Sequence, residues 1–292
     1  MTGCLEGEER VAVYGDGSGS IELELVLSKR MSELQLALLG TGKRAPEQVQ
    51  VEALCLLEDH WRGVCWEQGG YEVKDGRLKV SAKGVFTDIK QVKVVHPEVA
   101  GEGEQPRDVL SFGLEKTADG GALAVKFHGE ADAANLGLGE LPPEARAQIE
   151  QALDTALKEA FGELKLTIAL GSPGAVERLE GELSKLADGR PALVLDLAAI
   201  KRMALAGKQE LGGKVVFKGA TPAPAGFAER LAKAKAAWEQ GKATRAAARK
   251  RLGGPDPKEL EQMEKDLERQ QKELEELEKG LGGDKKPGEP KK

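Results

Sequence analysis

The stretch from residue 9 to residue 28 constrains the fold more than any other. Residues 10–14 form a short apolar run, followed by Gly15-Asp16-Gly17-Ser18-Gly19-Ser20, which is rich in residues that tolerate positive φ. Ile21, Leu23, Leu25 and Leu27 then alternate with Glu22, Glu24 and Val26, the period-two signature of a strand with one wet face. The segment predicts a β-hairpin in which Asp16, Gly17, Ser18 and Gly19 are a structural turn. It does not predict a phosphate loop, because no Lys-Ser/Thr follows and a strand rather than a helix comes next. Gly40-Thr41-Gly42-Lys43-Arg44 fails the same test, since Ala37 stands where the first glycine belongs.

Helical spacing marks residues 29–39 and 45–60. In the second run Val49, Val51, Ala53, Leu54 and Leu57 share a face, with Pro46 near the start. From 63 to 95 the period returns to two, with turns at Gly69-Gly70 and Asp75-Gly76. Strand-like runs recur at 109–116 and 122–128, joined by Asp119-Gly120-Gly121, and again at 164–170, 193–197 and 215–217. Residues 142–161 are amphipathic, with Ala145, Ile149, Leu153, Ala156, Leu157 and Phe161 on one side. The expected fold is α+β: a mostly antiparallel sheet of about five to eight strands packed against the helices 45–60 and 142–161. Aromatics are only 4% of the chain, so this core must be built from Leu, Val, Ile and Ala. The body is expected to span 9–219, after a polar tether over residues 1–8.

Thr221-Pro222-Ala223-Pro224-Ala225-Gly226 reads as a linker over 220–226. A helical hairpin or coiled coil is expected over 227–282. Its first arm, 227–252, holds eight Lys or Arg against two Glu; its second, 258–282, holds five against nine Glu or Asp. Leu260, Met263, Leu267, Leu274, Leu277 and Leu281 keep an a/d rhythm, with Gln270 as the polar position. In the first arm, Lys233, Lys235, Lys242, Arg245, Arg249, Lys250 and Arg251 are candidate contacts for an anionic partner or membrane surface. The plainer expectation is that this arm pairs with the acidic one that follows. Residues 283–292 read as a disordered tail.

No catalytic, metal or cofactor motif emerges. His60, His96 and His128 are scattered, no CxxC spacing exists, and Gly-x-Ser-x-Gly and His-Glu-x-x-His are absent. The expectation is a non-enzymatic protein with no cofactor. Cys55 and Cys65 bracket Trp61-Arg62-Gly63, where a disulfide is geometrically conceivable, and two free thiols are the alternative. The net charge of −6 gives the whole chain no nucleic-acid signature, and no run of 18 apolar residues spans a bilayer.

Thr2-Gly3-Cys4 resembles the lipobox of bacterial lipoproteins, with Cys4 as the acylated residue. A signal segment is then expected upstream of Met1, or already removed. Cys4, Val11-Ala12-Val13, Asp16-Gly17-Ser18-Gly19 and residues 21–27 stand in the order found in poorly characterised bacterial lipoproteins with an LppM-like domain. Lys74-Asp75-Gly76, Gly84-Val85-Phe86 and Pro173-Gly174 extend that resemblance loosely over 4–219. It implies a non-catalytic envelope protein held at the membrane by lipid on Cys4; the C-terminal helices, which the resemblance does not cover, are expected to contact a protein partner or the cell wall. Because the LppM-like domain is similar to helix-grip folds that enclose hydrophobic ligands, it also implies a second reading, a lipid carrier or sensor. If Cys4 is incidental, a cytoplasmic coiled-coil adaptor is the alternative.

Overall fold

The computed structural model describes residues 5–27, 45–95, 107–129, 164–206 and 208–252, with isolated positions at 29, 32, 33, 144, 148, 151, 152, 154 and 155. Cys4, His96, the acidic arm 258–282 and the tail 283–292 lie outside the described residues, and the helices expected at 29–39 and 142–161 lie almost wholly outside them.

The chain is α+β. Its strands are β1 (Leu5–Val13), β2 (Gly19–Leu27), β3 (Trp61–Arg62), β4 (Cys65–Lys74), β5 (Arg77–Phe86), β6 (Lys93–Val95), β7 (Asp108–Lys116), β8 (Gly120–His128), β9 (Lys165–Gly171), β10 (Ala175–Gly181), β11 (Leu183–Lys185), β12 (Pro191–Asp196) and β13 (Glu210–Lys218). Among the described residues four α-helices accompany them: α1 (Pro46–His60), α2 (Leu197–Leu205), α3 (Phe227–Gln240) and α4 (Lys242–Leu252). The strands form two sheets, not the single one expected. The first has seven strands in the order β11-β12-β9-β1-β2-β5-β4, and the second has six in the order β10-β13-β8-β7-β6-β3. Pairing is antiparallel throughout except between β1 and β9.

One apolar cluster joins the sheets into a sandwich. Val11, Ile21, Leu23, Ile168 and Leu193 of the first sheet pack with Leu110, Phe112, Leu123, Val125, Val215 and Phe217 of the second. Alternation along the strands places these residues inward and most charged ones outward, Glu9 of β1 being an inward exception. On the outer face of the first sheet, Arg10 binds Glu8 at 2.8 Å and Lys83 binds Glu22 at 2.9 Å.

The expected hairpin is β1-turn-β2. Asp16 Oδ1 accepts from the Ser18 backbone N–H at 2.9 Å and from Ser18 Oγ at 2.6 Å. Gly17 supplies the positive φ, at 95°. Gly19 serves differently: a Cβ there would meet the Ala12 carbonyl oxygen at 2.0 Å. The structure departs from the sequence reading at both borders of the body. Residues 5–8 are not a tether but part of β1, in register with β2 from Leu5↔Leu27 onward and beside β9 from Glu6. The linker is a strap, since Thr221 accepts from the Gly15 N–H at 2.8 Å and donates its own N–H to the Pro173 carbonyl. The basic arm does not start a separate unit. It belongs to the unit Met1–Leu252, the other unit being Gly253–Lys292. Apolar burial explains this, because Phe227, Ala234 and Ala248 are all buried.

Candidate functional site

β4 is the terminal strand of the seven-stranded sheet, an edge that open sheets must cover. Its register shifts between Trp66 and Gln68, a bulge that bends the strand. Helices cover it from both sides. α1 packs on β4, where Tyr71 Oη donates to Glu52 Oε2 at 2.8 Å and Gln48 Nε2 donates to Glu52 Oε1 at 2.9 Å. α3 lies across β4 and β5, and Arg230 grips Glu67 of β4 through Nε at 2.9 Å and a terminal nitrogen at 2.6 Å. On that same outer face Val85, Phe227 and Ala234 pack with Tyr14, Cys65 and Leu231.

α4 turns back at Gly241 onto α1. Arg245, only 4% exposed, is held there by three contacts. Its Nε donates to Glu58 Oε2 at 3.1 Å, its guanidinium carbon stands 3.5 Å over the centre of the Trp238 ring, and its carbonyl accepts from Cys55 Sγ at 3.3 Å. Arg249 binds the same Glu58 oxygen at 3.1 Å. Burial pushes the Glu58 carboxyl up, but the hydrogen bonds and charges of Arg245 and Arg249 outweigh it and hold the group below its usual value.

Between these helices and the edge strand lies a groove of about 420 Å³. Its apolar walls are Val51 and Leu54 of α1, Trp66 of β4, and Ala234, Ala237 and Trp238 of α3. Gln50, Glu67, Lys233, Thr244 and Arg245 supply the polar part of the lining. Trp66 is 3% exposed and stacks edge-on against Trp61 at 5.9 Å, yet its indole N–H is buried with no acceptor. A native interior rarely leaves such a donor unpaired. An apolar concavity of this size with a few polar groups matches the general form of a small-molecule site.

The candidate residues from the sequence distribute unevenly over this geometry. Of the seven basic candidates, Arg245 and Arg249 do meet an anionic group, but it is Glu58 of the chain's own α1. Lys233 pairs with Glu229 at 2.8 Å on an exposed helix turn, while Lys235, Lys242 and Lys250 are exposed. Arg251 falls in the last turn of α4. Cys55 and Cys65 are not joined in a disulfide. Cys55 faces α4 through its bond to the Arg245 carbonyl, whereas Cys65 packs on the α3 side of the sheet. Burial, the largest influence on it, raises the Cys65 pKa.

One arrangement had no sequence signal. Ser111 on β7, His128 on β8 and Glu210 on β13 meet on the outer face of the six-stranded sheet, with Ser111 Oγ 2.8 Å from His128 Nε2 and His128 Nδ1 3.2 Å from Glu210 Oε1. Among the described residues no group of three or more His, Cys, Asp or Glu could hold a metal ion, and no helix is long and apolar enough to cross a membrane. Comparison of the chain with protein-family models, with curated proteins and with solved structures finds no match.

Proposed function

We propose that this protein is a binding module and that the groove between β4, α1, α3 and α4 takes up an apolar ligand, the carrier or sensor reading of the sequence. The observation that supports it is the apolar groove of about 420 Å³ beside a buried indole N–H that has no acceptor among the described residues. Ala237 tests it well, because it lines the groove from an exposed helical position and its replacement leaves the core intact. Titration with a dansyl-labelled fatty acid should give a saturable rise in emission, fed by transfer from the nearby tryptophans. Ala237→Trp should weaken binding ~10-fold or more by filling the space. A linear, unsaturable signal from the unaltered protein would sink the reading.

Attachment to a bacterial envelope membrane through acylated Cys4 is a companion proposal, supported by Thr2-Gly3-Cys4 alone. Two or three acyl chains hold a protein at a bilayer where one does so only marginally. Intact mass of protein from its native cell decides it, and an unmodified Cys4 overturns it. The heptad run 258–282 is proposed as the coiled-coil surface for a protein partner, on the a/d pattern of its leucines.

A further inference from the structure

We propose that Ser111 is an activated nucleophile on the outer face of the six-stranded sheet, with His128 as its base and Glu210 as the residue that positions His128. The activity is distinct from ligand uptake in the groove and does not depend on it.

The proton positions follow from the chemistry of the three groups. Glu210 is held below its usual carboxylate pKa, first by the hydrogen bond from Lys126, so it is ionised at neutral pH and can only accept. His128 Nδ1, 3.2 Å away, must then carry the proton. That leaves Nε2 bare, so the Ser111 hydroxyl donates to it across 2.8 Å. Nucleophile, base and orienting carboxylate thus stand in the order that acyl-transfer enzymes use on unrelated folds.

The sheet supplies the surroundings. Ser111 stands directly opposite Lys93 on one side and Lys126 on the other, so two ammonium-bearing side chains share its face. The next residue on that face is Gly113, opposite Ala124, and a Cβ at Gly113 would meet only the Ala124 methyl at 3.6 Å. This leaves a shallow seat beside the hydroxyl where a short acyl group can lie flat. Ser111 sits in a strand paired on both sides, so its backbone N–H is committed to the ladder. The positive charges opposite Ser111 are Lys93, held by Asp108 at 2.5 Å, and Lys126, held by Glu210 at 2.7 Å, and one of them must swing from its carboxylate to meet an oxyanion. The fitting substrate class is a small carboxylic ester with a good leaving group.

In the reaction, Ser111 Oγ attacks the ester carbonyl carbon while its proton passes to His128 Nε2. The carbon–oxygen bond to the leaving group breaks, and His128 returns the proton to the departing oxygen. Water then attacks the acyl-serine with His128 again taking a proton, which goes back to Ser111 as the carboxylic acid leaves. The net reaction consumes one ester and one water.

The full-length protein should react with a fluorophosphonate probe, adding one phosphonyl group located at Ser111 by peptide mass. It should also hydrolyse p-nitrophenyl acetate. Ser111→Ala should abolish the label, and His128→Asn should slow phosphonylation ~100-fold. Glu210→Gln keeps an acceptor for Nδ1–H but removes the charge, and should slow it ~10-fold while Glu210→Asp restores part of the rate. Unchanged thermal unfolding of each variant shows that the sheet is intact. A label on lysines or elsewhere but not on Ser111, or a rate at Ser111 indifferent to His128→Asn, overturns the proposal.

Discussion

Glu9 sits at an unusual place for a carboxyl group. It points from β1 into the sandwich on the same face as Val11 and Val13, is 3% exposed, and leaves Oε2 without a partner. Burial alone raises its pKa from 4.5 to about 8, so the group is neutral in the folded protein near pH 7. The unfolded chain ionises it near 4.5, and folding at neutral pH therefore takes up a proton. Stability from this residue is complete below about pH 4.5, falls steadily above it and is gone once pH has passed about 8. Glu9→Gln removes the effect while keeping the shape. The variant should gain on the wild type by up to about 1.4 kcal/mol per pH unit across the window, as followed by urea unfolding at several pH values. Equal slopes for the two proteins would contradict a neutral Glu9. The turn gives a second residue-scale prediction. Gly17→Ala should cost about 1 kcal/mol, because φ is 95° there but space is open, with the nearest atom at 3.5 Å. Gly19→Ala should cost more, since its Cβ would collide with the Ala12 carbonyl and the Phe86 ring, and thermal unfolding orders the two.

At the scale of elements, the docking of α4 rests on one ion cluster. Arg245→Met discards both the bond to Glu58 and the stack on Trp238, while Glu58 retains Arg249. A loss of about 2 kcal/mol and a red shift of tryptophan emission are expected, whereas Glu58→Gln should lose less because the amide still accepts. The elements that sequence periodicity exposed are those with one dry face. β1, β2, β5, β7, β8 and α1 were legible because Leu, Val and Ile recur at the spacing of the buried side. β10 was hidden, for Glu177, Arg178 and Glu180 stand among its mainly exposed residues and it offers no apolar alternation. Gly241 divides the basic arm, expected as one helix over 227–252, into α3 and α4. The groove takes its walls from four elements, and the Ser111 cluster from three strands. No local motif can record either, because both are made by pairing between distant segments.

The whole molecule is legible in class and not in layout. Alternating strands announce an antiparallel sheet, but alternation is the same in either layer of a sandwich, so it cannot say which strands share a sheet. The border of the body is where this mattered most. A chain ending at residue 219 should lose the cover over Val85, Cys65 and the β4 edge, lower the melting temperature and aggregate, whereas a chain ending at 252 should melt in one cooperative transition. Light scattering and calorimetry compare the two. The parallel pair of β1 with β9 carries a consequence for synthesis. β1 leaves the ribosome well ahead of its parallel neighbour, which begins only at Lys165, and of the strand beyond that, which begins at Pro191. Until then the nascent chain carries β1 as a bare flank of a half-finished sheet, and a segment joined to so distant a partner closes slowly. A cell making this protein must shield that flank until β9 has emerged.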